Sequence, residues 1–399
     1  MKLRSGKPYW YEISTDRLNL PALSGDIACQ VAVLGAGITG ALVADHLLKS
    51  GLHVILLDRH EVGQGSTAAS TGLLQYEVDT PLVSLIKRVG EQHAVHAYRR
   101  GLAAIDEIES LVHELDDDCG FSRRKSLYFA STCWHQRRLR REYECQRQHG
   151  FDVEYLNRQQ LADISSIPAA AALRSGGDAQ IDPFRFTQQL VQAGLRRNLQ
   201  AFSNTDVQSI EELHDRVLLQ AGTGTISADF IVYATGYESE RHLKSPTANL
   251  NSTYAVTSQA GLSIQGWPED CLIWETARPY FYARRTEDGR AMIGGEDTEF
   301  SNDHDRDGLV DRKIGKLVAR FHALFPNTEF SPEYAWAGTF AETKDGLAYI
   351  GQPTTRPRAY FALGYGGNGI TFSMIAAKLI NDLILGRPNR DAEVFKFGR

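Results

Sequence analysis

The sequence predicts an α/β protein in which a Rossmann-like parallel sheet is interleaved with an α+β domain built on a mostly antiparallel sheet. Three observations carry this. A strand, a glycine turn, a helix and a second strand follow one another from residue 29. Residues 254–295 alternate apolar and polar side chains, the pattern of several antiparallel strands. The chain then returns to glycine-punctuated apolar strands and a closing helix, so pieces of the first layer flank the second. A length of 399 residues suits two domains at roughly 100–200 residues each. The expected division places 27–80, 150–245 and 336–390 in the nucleotide-binding part. Residues 81–149 and 246–335 form the second part, after a lead-in over 1–26.

Composition narrows the function classes. Lys and Arg number 43 against 49 Asp and Glu, a formal net charge of −6. Non-specific nucleic-acid binding wants a basic surface, so it is not expected. No apolar run approaches the roughly 18–20 residues of a membrane span. The opening MKLRSGKPYWYEIS is basic but has no apolar core, so no secretory signal is expected. The cysteines (Cys29, Cys119, Cys133, Cys145 and Cys271) are odd in number and form no CxxC pair. A disulfide framework and a zinc site are therefore not expected, and a cytoplasmic location is the default.

In chain order, 1–25 reads as an irregular lead-in draped over the body. Residues 29–34 form an apolar strand, 41–50 an amphipathic helix ended by Gly51, and 54–57 a second strand closing on Asp58. The small-residue loop GQGSTAASTG (63–72) follows. Helical patterning covers 80–115, a strand 126–131 and a strongly charged helix 135–148, which reads as a solvated face. His93 and His96 share a helix face with no acid or thiol cluster beside them, so no metal is expected. An alanine-rich helix is expected near 169–172. Asp182 before Pro183 marks a helix start. Strands near 207–210, 217–220 and 230–234 lead to ATG (234–236), and helices are expected over 311–325 and 373–385.

The first glycine loop carries chemistry. VAVLGAGITG sets Gly35, Gly37 and Gly40 in G-x-G-x-x-G register between a strand and a helix. The first permits a sharp turn, the second lets backbone approach a pyrophosphate, and the third lets helix and sheet pack closely. The helix N-terminus offers N–H groups to the anion, and Asp58 stands where a carboxylate can bond a ribose. An acid there favours an unphosphorylated ribose. The motif alone leaves FAD and NAD both open.

Taken with GQGSTAASTGLL, QIDPFRF, IVYATG and GYGGNG, the chain resembles the D-amino-acid oxidase-like superfamily of FAD-dependent amine oxidoreductases. Glycine oxidase, sarcosine oxidase and the gamma-glutamylputrescine oxidoreductases belong to that group. The likeness runs from about residue 27 to 385, and the Tyr-Trp lead-in looks most like the gamma-glutamylputrescine branch. The resemblance implies FAD bound by Gly35, Gly37, Ile38, Thr39, Gly40, Asp58 and Arg59. It adds Ser66, Thr67, Ala68, Gly72 and Leu73 beside the pyrophosphate and flavin edge, Val207 at the adenine, and Ala234, Thr235 and Gly236 in the second signature. Gly366, Gly367, Asn368, Gly369 and Ile370 would lie under the flavin N1–O2 edge, where N–H groups suit the charge of reduced flavin.

The implied reaction oxidises the C–H next to the nitrogen of a small amine or amino acid, with hydride passing to flavin N5. Departures from the family qualify it. Gly338 stands where sarcosine oxidases attach flavin through cysteine, so FAD is expected to be non-covalent. Met292 stands at the lysine that promotes reaction with O2, leaving O2 or another electron acceptor open. Phe340 and Thr371 stand where relatives place a cation for the substrate carboxylate. Arg278, Arg284 and Arg285 are then the candidate anchors, with Tyr280 and Tyr282 as pocket walls. Trp336 is expected to pack between the domains. Two alternatives remain: a nicotinamide-dependent dehydrogenase, which leaves ATG and GYGGNG unexplained, and a flavin-binding subunit without catalysis. Oligomeric state is not legible.

Overall fold

Strand Ile27–Leu34 sits at the centre of an eight-stranded sheet because its side chains are apolar toward both faces. Val31 and Val33 belong to one buried cluster, and Ala32 and Leu34 to another on the opposite face. That two-sided burial is the signature of a parallel sheet. The computed structural model describes residues 2–243 and 248–399. Ile27–Leu34 pairs in parallel with Val54–Leu57 and Gly224–Tyr233, and the parallel order extends to Gln200–Phe202 and Ala359–Leu363. Val207–Glu212 and Val217–Ala221 make an antiparallel meander with Gly224–Tyr233, and Tyr349–Gly351 closes an edge. Helices Ile38–Lys49, Pro183–Arg196 and Gly369–Ile384 cover the Val31 face.

Among the described residues the second sheet has ten strands. From one edge it runs Arg4–Gly6, Pro332–Thr343, Ala248–Ser258, Ala291–Glu299, Phe281–Arg285, Leu272–Glu275, Ser122–Phe129, Ala171–Gln180 and Leu73–Leu74, with Val153–Asn157 also paired to Ala171–Gln180. Among the described residues of this sheet, only Leu272–Glu275 and Ser122–Phe129 pair in parallel. The expected architecture, a parallel sheet interleaved with a mostly antiparallel one, is present.

Local expectations fare unevenly. The charged helix is His135–Gln148, as expected, and Asp182 caps Pro183–Arg196 through Phe184 N and Arg185 N at 2.9 Å each. The helical pattern over 80–115 breaks at Gly90, φ +83°, into Leu82–Val89 and Glu91–Val112. The alanine-rich helix near 169–172 is instead the start of strand Ala171–Gln180. Alanine is the best helix former, but intrinsic propensity is worth less than tertiary context, and pairing on both sides overrides it. The lead-in is irregular over 14–25, where Leu20 and Leu23 are buried against the body, but Arg4–Gly6 pairs with Pro332–Thr343, and Tyr9 and Trp10 are buried with Trp336 in one small cluster. Residues 153–157 and 171–180 belong to the ten-stranded sheet, although the expected division put 150–245 with the nucleotide-binding part. Its boundary at 245/246 lies outside the described residues.

Candidate functional site

Gly35 leaves the central strand with φ +101°, a region L side chains rarely adopt, and its N–H donates to Leu57 O at 2.7 Å. A Cβ on Gly40 would lie 1.7 Å from Gly35 O, so this turn and the following helix close only with glycine there. Helix Ile38–Lys49 has no side-chain cap. Ile38 N donates to Thr67 Oγ1 at 3.0 Å, and Thr39, next in the first turn, lines the adjacent cavity. Asp58 ends the neighbouring strand, accepting from Ala36 N at 2.7 Å and His60 N at 2.8 Å, and burial raises its pKa.

The second glycine loop is seated on the segment 75–79. Gly367 N donates to Asp79 Oδ2 at 2.6 Å, and Asn368 Nδ2 donates to Gln75 O and Glu77 O at 3.0 Å each. A Cβ on Gly366 or Gly367 would meet the Asp79 carboxylate at 2.8 Å. Helix Gly369–Ile384, also without a side-chain cap, starts here. Thr39 and Ser373 hydroxyls, 2.7 Å apart, tie it to the first helix.

Between the two loops lies a cavity of 540 Å³. Gly35, Gly37, Ile38 and Thr39 line it, with Asp58 and Arg59 beyond them. Ser66, Thr67 and Leu73 come from the small-residue loop, Val207 from the meander, and Ala234, Thr235 and Gly236 from the end of strand Gly224–Tyr233. Gly366, Gly367, Asn368, Gly369 and Ile370 line it as well. Tyr280, Tyr282, Trp274, Thr253 and Phe340 wall the part fed by the ten-stranded sheet. Arg59 is the one Lys or Arg among the described lining residues, and it pairs with Glu238 at 2.5 Å.

A dinucleotide fits this lining on two counts. Two uncapped helix N-termini face it, suiting anionic groups. Ser66 Oγ is buried without a protein partner, a hydroxyl left for a ligand. None of the five cysteines is among the described lining residues.

Several expected residues lie elsewhere. Gly40 and Gly72 shape the backbone without lining the cavity, a Cβ on Gly72 falling 2.2 Å from Ile181 O. Ala68 is fully buried against Trp10, Phe184 and Trp336, and Met292 sits in the same cluster. Arg284 does not line the cavity. It is 1% exposed, donates through Nη1 to Thr71, Gly72 and Ile181 carbonyls, and stacks over Trp10. Desolvation lowers its pKa to about 10. Arg285 bonds Gly289 O and pairs with Asp270, away from the cavity. Arg278 is exposed over the Tyr280 ring at 4.3 Å.

Sequence reasoning missed Gln75, Glu77 and Asp79, although two acids inside the apolar run 73–83 were a readable signal. Glu77 lines the cavity, is 6% exposed, and accepts from Ser175 Oγ at 2.5 Å. Burial raises its pKa to about 7, and burial and the Glu77 charge hold Asp178 well above the carboxylate range. A raised folded pKa means the native state keeps this proton while the unfolded chain loses it, so stability falls as pH rises from about 4.5 to 7. Glu77→Gln is therefore expected to gain about 2 kcal/mol on the parent between pH 5 and pH 8 in urea unfolding. A pH-independent difference would refute this.

The family described as FAD dependent oxidoreductase matches residues 30–383. Glycine oxidase of Geobacillus kaustophilus (strain HTA426) is 24% identical over 380 residues, 89% of this chain and 92% of that protein. Gamma-glutamylputrescine oxidoreductase of Escherichia coli (strain K12) is 23% identical, over 94% of this chain and 86% of its own length. The crystal structure of glycine oxidase from Geobacillus kaustophilus superimposes with a TM-score of 0.76 at 22% identity, covering 93% of this chain and 99% of that one.

Proposed function

Because this chain belongs to the family of FAD-dependent oxidoreductases, we propose that it oxidises the C–H bond beside the nitrogen of a small amine or amino acid. FAD supplies the hydride acceptor, flavin N5; the protein binds, orients and excludes water. The observation that carries the reading is the single cavity joining the two uncapped helix N-termini to the aromatic wall of Tyr280, Tyr282 and Trp274. Gly35, Gly37 and Thr39 would hold the pyrophosphate, Asp58 the ribose and Val207 the adenine. From the loop 366–370, Gly369 and Ile370 at the helix start would present N–H groups to the flavin, since those of Gly366, Gly367 and Asn368 are bonded within the protein. Tyr282 stays protonated, its pKa raised to about 12 chiefly by burial, and can donate to substrate.

The division of labour follows the sheets: the parallel sheet with its glycine loops would hold the cofactor and the ten-stranded sheet the substrate. Relatives named glycine oxidase and gamma-glutamylputrescine oxidoreductase support an amine or amino-acid donor. An electron acceptor other than O2 is favoured by Met292, which is apolar and sealed in the Trp10–Trp336 cluster.

Anaerobic mixing of the yellow holoprotein with a panel of primary and secondary amines tests this. Bleaching of the flavin band within seconds to minutes by at least one amine is expected, with slow recovery on admitting air. Bleaching by none would leave a flavin-binding subunit without catalysis. Rapid recovery with peroxide would establish an oxidase.

A further inference from the structure

Beside the main cavity lies a second chamber of 240 Å³, and Asp79, Tyr280 and Phe340 line both. Its other walls carry Asp297, Glu299 and Glu342 against one cation, Arg278. Arg278 forms no ion pair with them among the described residues. Its guanidinium lies over the Tyr280 ring and donates to the Ala277 and Asp79 carbonyls at 3.2 Å. Asp79 is committed to Gly367 N and the Tyr280 hydroxyl. Asp297 is different: its Oδ1 is buried with no hydrogen-bond partner. An unpaired buried carboxylate oxygen is costly unless a donor arrives. Burial, then the charges of Asp79 and Glu342, raise the Asp297 pKa to about 7, against a Thr253 hydroxyl and Arg278 that lower it. Burial and then the Asp79 charge also raise the Glu342 pKa, against the charges of Arg278 and Arg88. A group bringing several N–H donors and a positive charge would satisfy the orphaned oxygen and the repulsion together, and an ammonium carries three donors.

We propose that the substrate is an amine with a second, cationic end, and that this end occupies the side chamber against Asp297 and Glu342 while the reacting nitrogen lies in the main cavity. The absence of any Lys or Arg other than the paired Arg59 among the described residues of the main cavity agrees with it, since a carboxylate-bearing substrate would lack an anchor there. The inference rests on the amine-oxidation reading and adds the charge of the far end.

The test is anaerobic flavin reduction by α,ω-diamines of three to eight carbons, each against the monoamine and the ω-amino acid of equal length. At the best length, the diamine is expected to reduce flavin with an efficiency about tenfold or more above the monoamine, as for one charge-assisted hydrogen bond, and the amino acid to be poorest. Asp297→Asn and the half-buried Glu342→Gln should each shrink the diamine-to-monoamine ratio several-fold, with FAD content reporting that each variant is folded. Equal reduction by diamine and monoamine, a preference for the amino acid, or a ratio unchanged in both variants overturns this inference alone. Bleaching by none of the three series overturns the amine-oxidation reading as well.

Discussion

Gly37→Val is expected to give a folded protein that purifies without its flavin. Gly37 lines the cavity where the first helix begins, and the nearest atom a Cβ would meet is Thr67 Oγ1 at 3.0 Å. That atom ends a short side chain and can give way, so the fold should survive. The remaining bulk of valine would project into the space proposed for the pyrophosphate and separate it from the helix N–H groups. Losing two charge-assisted hydrogen bonds at about 1.5–3 kcal/mol each implies an affinity loss of at least about 100-fold. Visible absorption measures FAD content, and circular dichroism reports the fold. Stoichiometric yellow colour in this variant would remove the phosphate-loop assignment. Gly40→Val is a contrasting control, because its Cβ would collide with Gly35 O and the fold itself should fail.

Arg284→Met should lower stability by about 4 kcal/mol, because it strips donors from four carbonyls, those of Gly72 and Ile181 fully buried. Three carbonyls, of Thr71, Gly72 and Ile181, converge on one guanidinium nitrogen, and the Nε donates to Arg285 O. Methionine fills similar volume and leaves them unpaired. Arg284→Lys should recover only part of the loss, since a lysine cannot reproduce the planar fork. The shift in urea midpoint measures both. A methionine variant of undiminished stability with altered amine selectivity would restore Arg284 as a substrate anchor.

These two positions mark what a linear reading can and cannot reach. Gly35, Gly37 and Gly40 were legible because their constraint is local: a turn with φ +101° and a helix start packed onto its own turn are requirements of a few consecutive residues. Asp182 before Pro183 was legible for the same reason. Arg284 was not, because Arg284 and Tyr282 share one strand face and one residue type does not say where that face points. Trp10, from the lead-in, covers the arginine, and the loop Thr71–Gly72 closes over it. The first part of strand Ala171–Gln180, expected as a helix near 169–172, was likewise not legible, since its partners lie in other parts of the chain. Glu77 and Asp79 acquire their place only when the carbonyls and carboxylate of 75–79 receive the loop 366–370.

The sequence by itself determined the class of fold, the order of its two layers, the glycine turns at both ends and the family, because periodicity and backbone freedom are written in neighbouring residues. The tertiary structure alone decided which charges reach the cavity. It sealed Arg284 and Met292 in the core and left Asp297 with an unpaired oxygen in a side chamber. Burial and partnership arise from segments hundreds of residues apart, and the energy of a charge depends on that surrounding more than on its identity.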